Sequence, residues 1–338
     1  MKVVFAISTL LFCIHLHAQQ KPHYTQYILN QYIINPALTG IENYTDIKVS
    51  HRRQWTGLDG APVTSYFTVH APIGKQDYRT TATSFAVPGE NPRGNAYWQN
   101  YTAAEAHHGV GFQLVSDVAG AMSNLSAKVT YAYHLGLGAR TNLSGGFGAG
   151  INRIALDASK LNFANASVDP VVYTSDRINR SNFDLVGGLY FYSADYFLGL
   201  SAQQIVPSKI DFSDNTLAVQ NGTTVPHVFV SSGYRFLLSE DVNVIPSVMI
   251  KYIQPLPLQV ETNVKFQFRD LLWAGGSYRH RDAVAGMVGV NLSNFINVGY
   301  SYDHPISAIN HFSKGSHELL LGFILGNHYS DTCPRNVW

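Results

Sequence analysis

Strict alternation of apolar and polar residues recurs along almost the whole chain, and it constrains the fold more than any other feature. From Val260 to Arg269, the series Val260, Thr262, Val264, Phe266 and Phe268 alternates with Glu261, Asn263, Lys265, Gln267 and Arg269. In Leu125–Leu137, Leu125, Ala127, Val129, Tyr131, Tyr133, Leu135 and Leu137 share one face; Ser126, Lys128, Thr130, Ala132, His134 and Gly136 share the other. A period of two means a strand with one apolar and one polar face. About fourteen such segments are legible, near 44–55, 62–71, 108–117, 123–137, 141–155, 182–193, 195–206, 225–238, 241–253, 257–269, 271–281, 283–293, 294–303 and 316–327. No convincing helix separates them. Most run ten to fifteen residues, longer than the usual strand of about 5–6 and long enough for a tilted strand to cross a bilayer, which takes about 9–11.

Connection lengths agree with a barrel. If both termini are periplasmic, the even-numbered connections face the periplasm, and the last five of these are "GAR", "SAD", "SED", "RD" and "SN". The long connections 156–181, 207–224 and 304–315 fall on the outer side. Short periplasmic turns and longer outer loops characterise transmembrane barrels, and closure is required because lipid cannot satisfy a free strand edge. The expected fold is all-β: a transmembrane antiparallel up-and-down β-barrel of about 14 strands in the outer membrane. Residues 72–107 break the rule, as a long insertion or loop that parity puts in the periplasm.

Composition bears on which face meets what. Charged residues are 13% of the 338, about half the usual share in soluble domains, while Tyr (20), Phe (18) and Gly (28) are abundant. Apolar strand faces turned to lipid explain the deficit. A net charge of +1 gives no electrostatic case for nucleic acid. Lys2, the apolar run Val3 to Leu16 and the small residue Ala18 read as a signal peptide over 1–18, cleaved before Gln19. Cys13 follows Phe12 where a lipoprotein acceptor needs a small residue. Cys333 is then the lone cysteine of the mature chain, which excludes an internal disulfide. The expected organisation is signal peptide 1–18, an N-terminal periplasmic segment 19–43, the barrel 44–327 and a C-terminal tail 328–338.

The stretches "QYILNQYIINPALTG", "RRQWTGLDGAPVTSYFTVHAPIG", "HGVGFQLVSDVAG", "VTYAYHLGL", "YFLGLSAQQIV", "LLWAGGSYRHRDAVAGMVGVNL", "NVGYSYDHPISAI", "GSHELLLGFILG" and "CPRNVW", in this order and spacing, resemble the PorP/SprF family of outer-membrane proteins of the type IX secretion system. Residues 75–107 depart from the family, which usually passes quickly from the "HAPIG" strand to the "GVGF" strand. The resemblance implies a non-catalytic barrel that works with other type IX secretion components. It would help secrete a large adhesin-like protein, or hold it at the cell surface through its C-terminal domain.

Turn parity puts "QWTGLDGAP", "SDVAG", "YRHRDA" and "YSYDHP" on the outer side. Arg53, Trp55, Asp59, Asp117, Arg279, Arg281, Asp282 and Asp303 are therefore expected at one mouth. Two readings stand: a socket for a secreted partner, for which the planar Arg fork suits carboxylates and rings, or turn caps and ion pairs that hold the rim closed. Lys128, Lys251, Glu261, Lys265 and Arg269 are expected to face the lumen, a set also consistent with a porin or transport channel for small solutes.

Weaker signals add little. His107-His108 and the "RHR" around His280 lack a second pair at metal-ligand spacing. "GGFGAG" (145–150) lacks the Lys and helix of a phosphate loop and reads as a strand with a glycine inner face. Trp55, Trp273, Tyr300 and Tyr302 suit an interfacial aromatic belt. No catalytic arrangement, cofactor or metal site is expected.

Overall fold

A computed structural model describes residues 23–75, 101–157, 160, 177–210, 222–269, 271–293 and 295–326. The expected signal peptide, 76–100, most of the 156–181 loop, Cys333 and the tail 328–338 lie outside the described residues.

Fourteen antiparallel strands close into a barrel. They are β1 (Thr45–Arg53), β2 (Val63–Ile73), β3 (His107–Ala119), β4 (Met122–Gly136), β5 (Asn142–Asp157), β6 (Arg177–Tyr192) and β7 (Tyr196–Gln203). There follow β8 (His227–Tyr234, continued after Arg235 as Phe236–Ser239), β9 (Val242–Ile253), β10 (Gln259–Phe268), β11 (Leu272–Arg279), β12 (Ala283–Ser293), β13 (Ile296–Pro305) and β14 (Ser316–Leu325). Each pairs with its sequence neighbour. The ring closes between first and last, from Thr45 opposite Leu325 to Arg53 opposite His317. Every predicted strand segment overlaps one of these.

The alternation sorts residues as the sequence dictates. Along β10, Glu261, Asn263, Lys265 and Gln267 are buried inside, while Val264, Phe266 and Phe268 are exposed outside. β4 repeats this with Lys128, Thr130 and His134 inside and Leu125, Val129, Tyr133 and Leu135 outside. Lys251 also faces in, but Arg269 does not. It sits in the β10–β11 turn with φ of 50°, half exposed, and pairs with Asp241 of the β8–β9 turn through hydrogen bonds of 2.8 and 3.0 Å. The strand ends one residue before it, so alternation no longer governs its side chain.

A barrel of this strand number encloses a lumen too wide for its own side chains to fill. Here the chain fills it with its N-terminus. Residues 25–43 were expected in an N-terminal periplasmic segment ahead of the barrel; they lie inside it. Three short 3-10 turns, Thr25–Leu29, Gln31–Ile33 and Pro36–Leu38, carry Tyr27, Ile28, Leu29, Ile33 and Ile34. These pack on Tyr66, Phe229, Met249, Trp273, Met287 and Leu320, inward residues of the barrel wall. Burying one such aliphatic side chain is worth about 1.5–3 kcal/mol. Trp273, expected in an interfacial belt, is one of these inward residues. Tyr300 and Tyr302 do face outward.

Small residues in the wall make room for this plug. A Cβ at Gly146 would come within 2.5 Å of the Pro36 carbonyl oxygen, so the glycine face of "GGFGAG" is occupied by chain. At Gly109 an added Cβ would collide with the Thr39 carbonyl, and Gly40 opposite it has φ of +74°, a conformation that favours glycine.

Candidate functional site: a closed lumen beneath a mouth at the loop rim

The plug is held at every level by inward polar side chains. Near the rim that carries the β1–β2, β11–β12 and β13–β14 connections, Thr25 donates its backbone N–H to Glu318 Oε2 at 2.9 Å and its hydroxyl to Asp303 Oδ2 at 2.6 Å. Midway, Asn30 donates to Thr68 Oγ1 at 3.0 Å, and Gln113 donates to the Tyr32 carbonyl at 2.8 Å. Further down, Gln203 donates to Ile34 O at 2.8 Å and Ser144 to Ala37 O at 2.7 Å. At the opposite rim, Gly40 N–H donates to His70 Nδ1 at 3.1 Å, and His134 Nε2 bonds the Thr39 carbonyl at 2.8 Å. Tyr44 then packs on Ile324, and β1 begins. The N-terminal segment therefore runs the height of the lumen, from the loop rim to the turn rim.

Above the plug, at the loop rim, lies a cavity of about 750 Å³. Six of the eight residues expected at the mouth line it: Trp55, Asp117, Arg279, Arg281, Asp282 and Asp303. Arg53 does not. It ends β1 on the outward, exposed face, and the inward neighbour Arg52 takes the place expected of it. Asp59 is exposed at the tip of the β1–β2 turn and does not line the cavity. Strand parity from Ile47, Val49 and Lys48 would have selected Arg52 over Arg53. Lys251, Gln259 and His23 also line the cavity and were not expected there.

The cavity floor is a network of buried charge. Arg52 donates to Thr25 Oγ1 (2.6 Å), Glu318 Oε2 (3.2 Å) and Asp303 Oδ2 (2.8 Å). Arg279 meets Glu261 (3.3 Å), Asp282 (2.8 Å) and Asp303 (3.5 Å), and Ser277 donates to Glu261 at 2.9 Å. Deeper, Lys128 pairs with Asp184 at 3.1 Å and Lys48 with Asp46. Taking such ions out of water is costly unless they are paired, and each of them has a counter-ion here. Arg279, Asp282 and Asp303 thus hold the floor together, the role of the second reading. Asp117 is bound by Thr64 at 2.6 Å.

His23 touches the floor through Glu261 at 3.2 Å. Burial, and then the nearby Arg279 charge, bring its imidazole down to about 4 from the usual 6.5, against the opposing pull of Glu261.

Trp55 and Arg281 are placed differently. Both have positive φ, 46° and 61°, and both stand on tight connections. The Trp55 turn is tied to the β13–β14 loop by Thr56 N–H to Gly315 O and Lys314 N–H to Thr56 O, each 2.8 Å. Gly57 and Gly60, with φ of +99° and +70°, complete it. A turn fixed this way presents its ring at little ordering cost.

Among the described residues no group of three or more His, Cys, Asp or Glu side chains is placed to hold a metal ion. His107 and His134 stack at 4.4 Å around the plug's exit turn, where His107 Nε2 bonds the Gly40 carbonyl at 3.2 Å.

Residues 16–323 match a family described as Type IX secretion system membrane protein PorP/SprF. No curated protein matches the chain. Among solved structures, the outer membrane protein Omp33 of Acinetobacter baumannii is similar at 8% identity and a TM-score of 0.44, covering 85% of this chain and 100% of that one. The toluene transporter TbuX of Ralstonia pickettii stands at 9% and 0.49, covering 87% and 92%. The translocator domain of the autotransporter NalP from Neisseria meningitidis stands at 13% and 0.32, covering 83% and 88%. Likeness at this level says nothing of what the present chain binds.

Proposed function

The chain belongs to the PorP/SprF family of type IX secretion system membrane proteins, and from that premise we propose that it is a plugged, non-catalytic outer-membrane barrel. On this reading its outer mouth holds a large secreted, adhesin-like protein at the cell surface through that protein's C-terminal domain. The observation that carries this is the floor of the mouth. The cavity is lined at its base by His23, Arg52 and Asp303, Thr25 ties Arg52 and Asp303 to the plug, and the lumen below is filled down to Tyr44. A recess closed at its base suits docking rather than passage. By the usual asymmetry of such barrels the rim with longer connections faces outward, which gives the recess to the medium. Its partners are then the secreted protein, other type IX secretion components and outer-membrane lipid.

Surface retention of the secreted protein tests this. Trp55→Ala with Arg281→Ala removes the presented ring and guanidinium and leaves the floor intact. Loss of a central Trp or Arg often costs an interface more than about 2 kcal/mol, roughly thirtyfold in affinity. The double variant should therefore stay heat-modifiable and shed its partner. Undiminished retention would move these residues to rim packing. The rival porin reading is separated by liposome swelling: the wild-type barrel should not pass small sugars, and ready passage would replace docking with transport.

A further inference from the structure

Among the described residues Lys251 is the one buried lysine that lines the cavity, 5% exposed on the inward face of β9. Across the ladder it faces Gln259, which lines the cavity too. Its ammonium stands 5.9 Å from the centre of the Phe229 ring. Among the described residues no carboxylate lies within ion-pair distance of it. The neighbouring cations differ in this respect: Arg52 is bound by Asp303 and Glu318, and Arg279 by Glu261, Asp282 and Asp303. Glu261, one step diagonal to Lys251 in the ladder, is occupied by His23, Ser277 and Arg279.

Glu261 acts on Lys251 only from a distance; a buried ammonium with no carboxylate in contact is expensive, and the cavity is the direction from which one can come. We infer that the mouth is a carboxylate-recognition site centred on Lys251, and that its ligand is a carboxylate of the secreted protein docked there. The inference rests on the docking reading above and adds the chemistry of the contact. A singly charged carboxylate placed there forms a charge-assisted hydrogen bond, and the Gln259 amide can donate to its second oxygen. The volume, about 750 Å³, is in the range of ligand sites, about 300–1,000 Å³. It holds a piece of polypeptide rather than a lone ion. Leu256 and Leu258 wall the same side, so the segment that fits has apolar residues beside its acid. Asp117 and Asp282 also line the cavity. A lipid phosphate dianion would meet like charge there, whereas a peptide can set a cation against them.

The test uses the full-length barrel in intact cells, with Trp55→Ala as the control for docking. Lys251→Gln should release the surface protein about tenfold faster or more from a barrel that stays heat-modifiable, and Lys251→Arg should retain it. Carbodiimide coupling should join the Lys251 amine to a peptide of the retained protein. The sequence of the adduct distinguishes an acidic side chain from a C-terminal carboxylate. Retention by Lys251→Gln under conditions where Trp55→Ala releases the partner would sink the carboxylate inference and leave docking standing. Retention by both would remove docking as well. A measurement on the wild-type barrel in nanodiscs needs no variant: millimolar succinate should slow reductive methylation of Lys251 relative to exposed Lys314 at equal ionic strength. Equal slowing of the two lysines, or none, would contradict the site.

Discussion

The guanidinium of Arg52 and the carboxylate of Asp303 meet at 2.8 Å across the floor of the mouth, and the hydroxyl of Thr25 is bonded to both. One residue of the plug thus completes an ion pair of the barrel wall. Without Arg52, Glu318 keeps no ion-pair partner among the described residues, and without Asp303, Arg52 keeps only Glu318; breaking a buried pair costs about 3–5 kcal/mol. Arg52→Gln or Asp303→Asn should lower the temperature of the heat-modifiability transition and loosen the N-terminal segment. Arg53→Gln, one residue on but facing outward, should leave that transition where it is.

The fit between plug and wall predicts a steric effect with no charge in it. Gly109→Ala puts a methyl group against the backbone of Thr39 and Gly40, which cannot yield as a flexible side chain does. Overpacking of this kind costs about 1–3 kcal/mol. A Cβ at Gly286 meets nothing within 4 Å. Thermal unfolding should show Gly109→Ala destabilised and Gly286→Ala close to wild type; equal behaviour would mean the plug does not seat at Thr39.

On the outer wall, Phe266 is 49% exposed in the absence of lipid. An arginine on the lipid face costs about 2–4 kcal/mol at the midplane of the bilayer. Phe266→Arg should reduce assembly into the membrane, read as the heat-modifiable fraction, while Phe266→Leu should assemble normally.

The barrel was legible because period-2 alternation is a local signal repeated fourteen times, and each repeat reads the same way. The plug was not. Tyr27, Ile28 and Leu29 are consecutive apolar residues with neither strand nor helix period, so nothing local says where they go. The complementary signal was present in the wall: Tyr66, Phe229, Met249, Trp273, Met287 and Leu320 stand on the face that is otherwise polar. Apolar residues facing a lumen need something to cover them, and the segment before β1, expected in the periplasm, was the available cover. At the mouth, parity brought six of the eight residues to one rim, but a choice between adjacent residues such as Arg52 and Arg53 depends on register. Lys251 could be placed inside from alternation, while its lack of a carboxylate in contact depends on side chains from other strands.

The docking of the N-terminus should depend on pH through His23. Burial and Arg279 hold the docked imidazole near 4, whereas a released, solvated one titrates near 6.5. Arg52 pushes in the same direction and Glu261 against it. The released state therefore binds the proton more readily, and the docked state loses stability as pH falls from about 6.5 toward 4. The unfolding midpoint of the wild type should drop relative to that of His23→Gln over this window and run parallel to it above. Parallel curves throughout would place His23 in solvent.

The path of the chain through the lumen makes the final prediction a topological one. His23 lines the cavity at the loop rim, while Lys75 reaches the other end of the plug, donating to the Ile41 carbonyl at 2.7 Å. The two residues flank a single transit of the barrel, so they should report opposite sides of the membrane. In a Cys333→Ser background, which removes the one native thiol expected after signal cleavage, single cysteines at His23 and Lys75 can be probed with a membrane-impermeant maleimide. With short turns toward the periplasm, His23→Cys should react on intact cells lacking the docked partner, and Lys75→Cys only after lysis. The same experiment examines the expectation that 72–107 is periplasmic, because Lys75 opens that segment. Labelling in the reverse order would invert the barrel and move the mouth, with its Lys251 site, to the periplasmic face. Labelling of both on intact cells would mean that the N-terminal segment does not fill the lumen in the membrane.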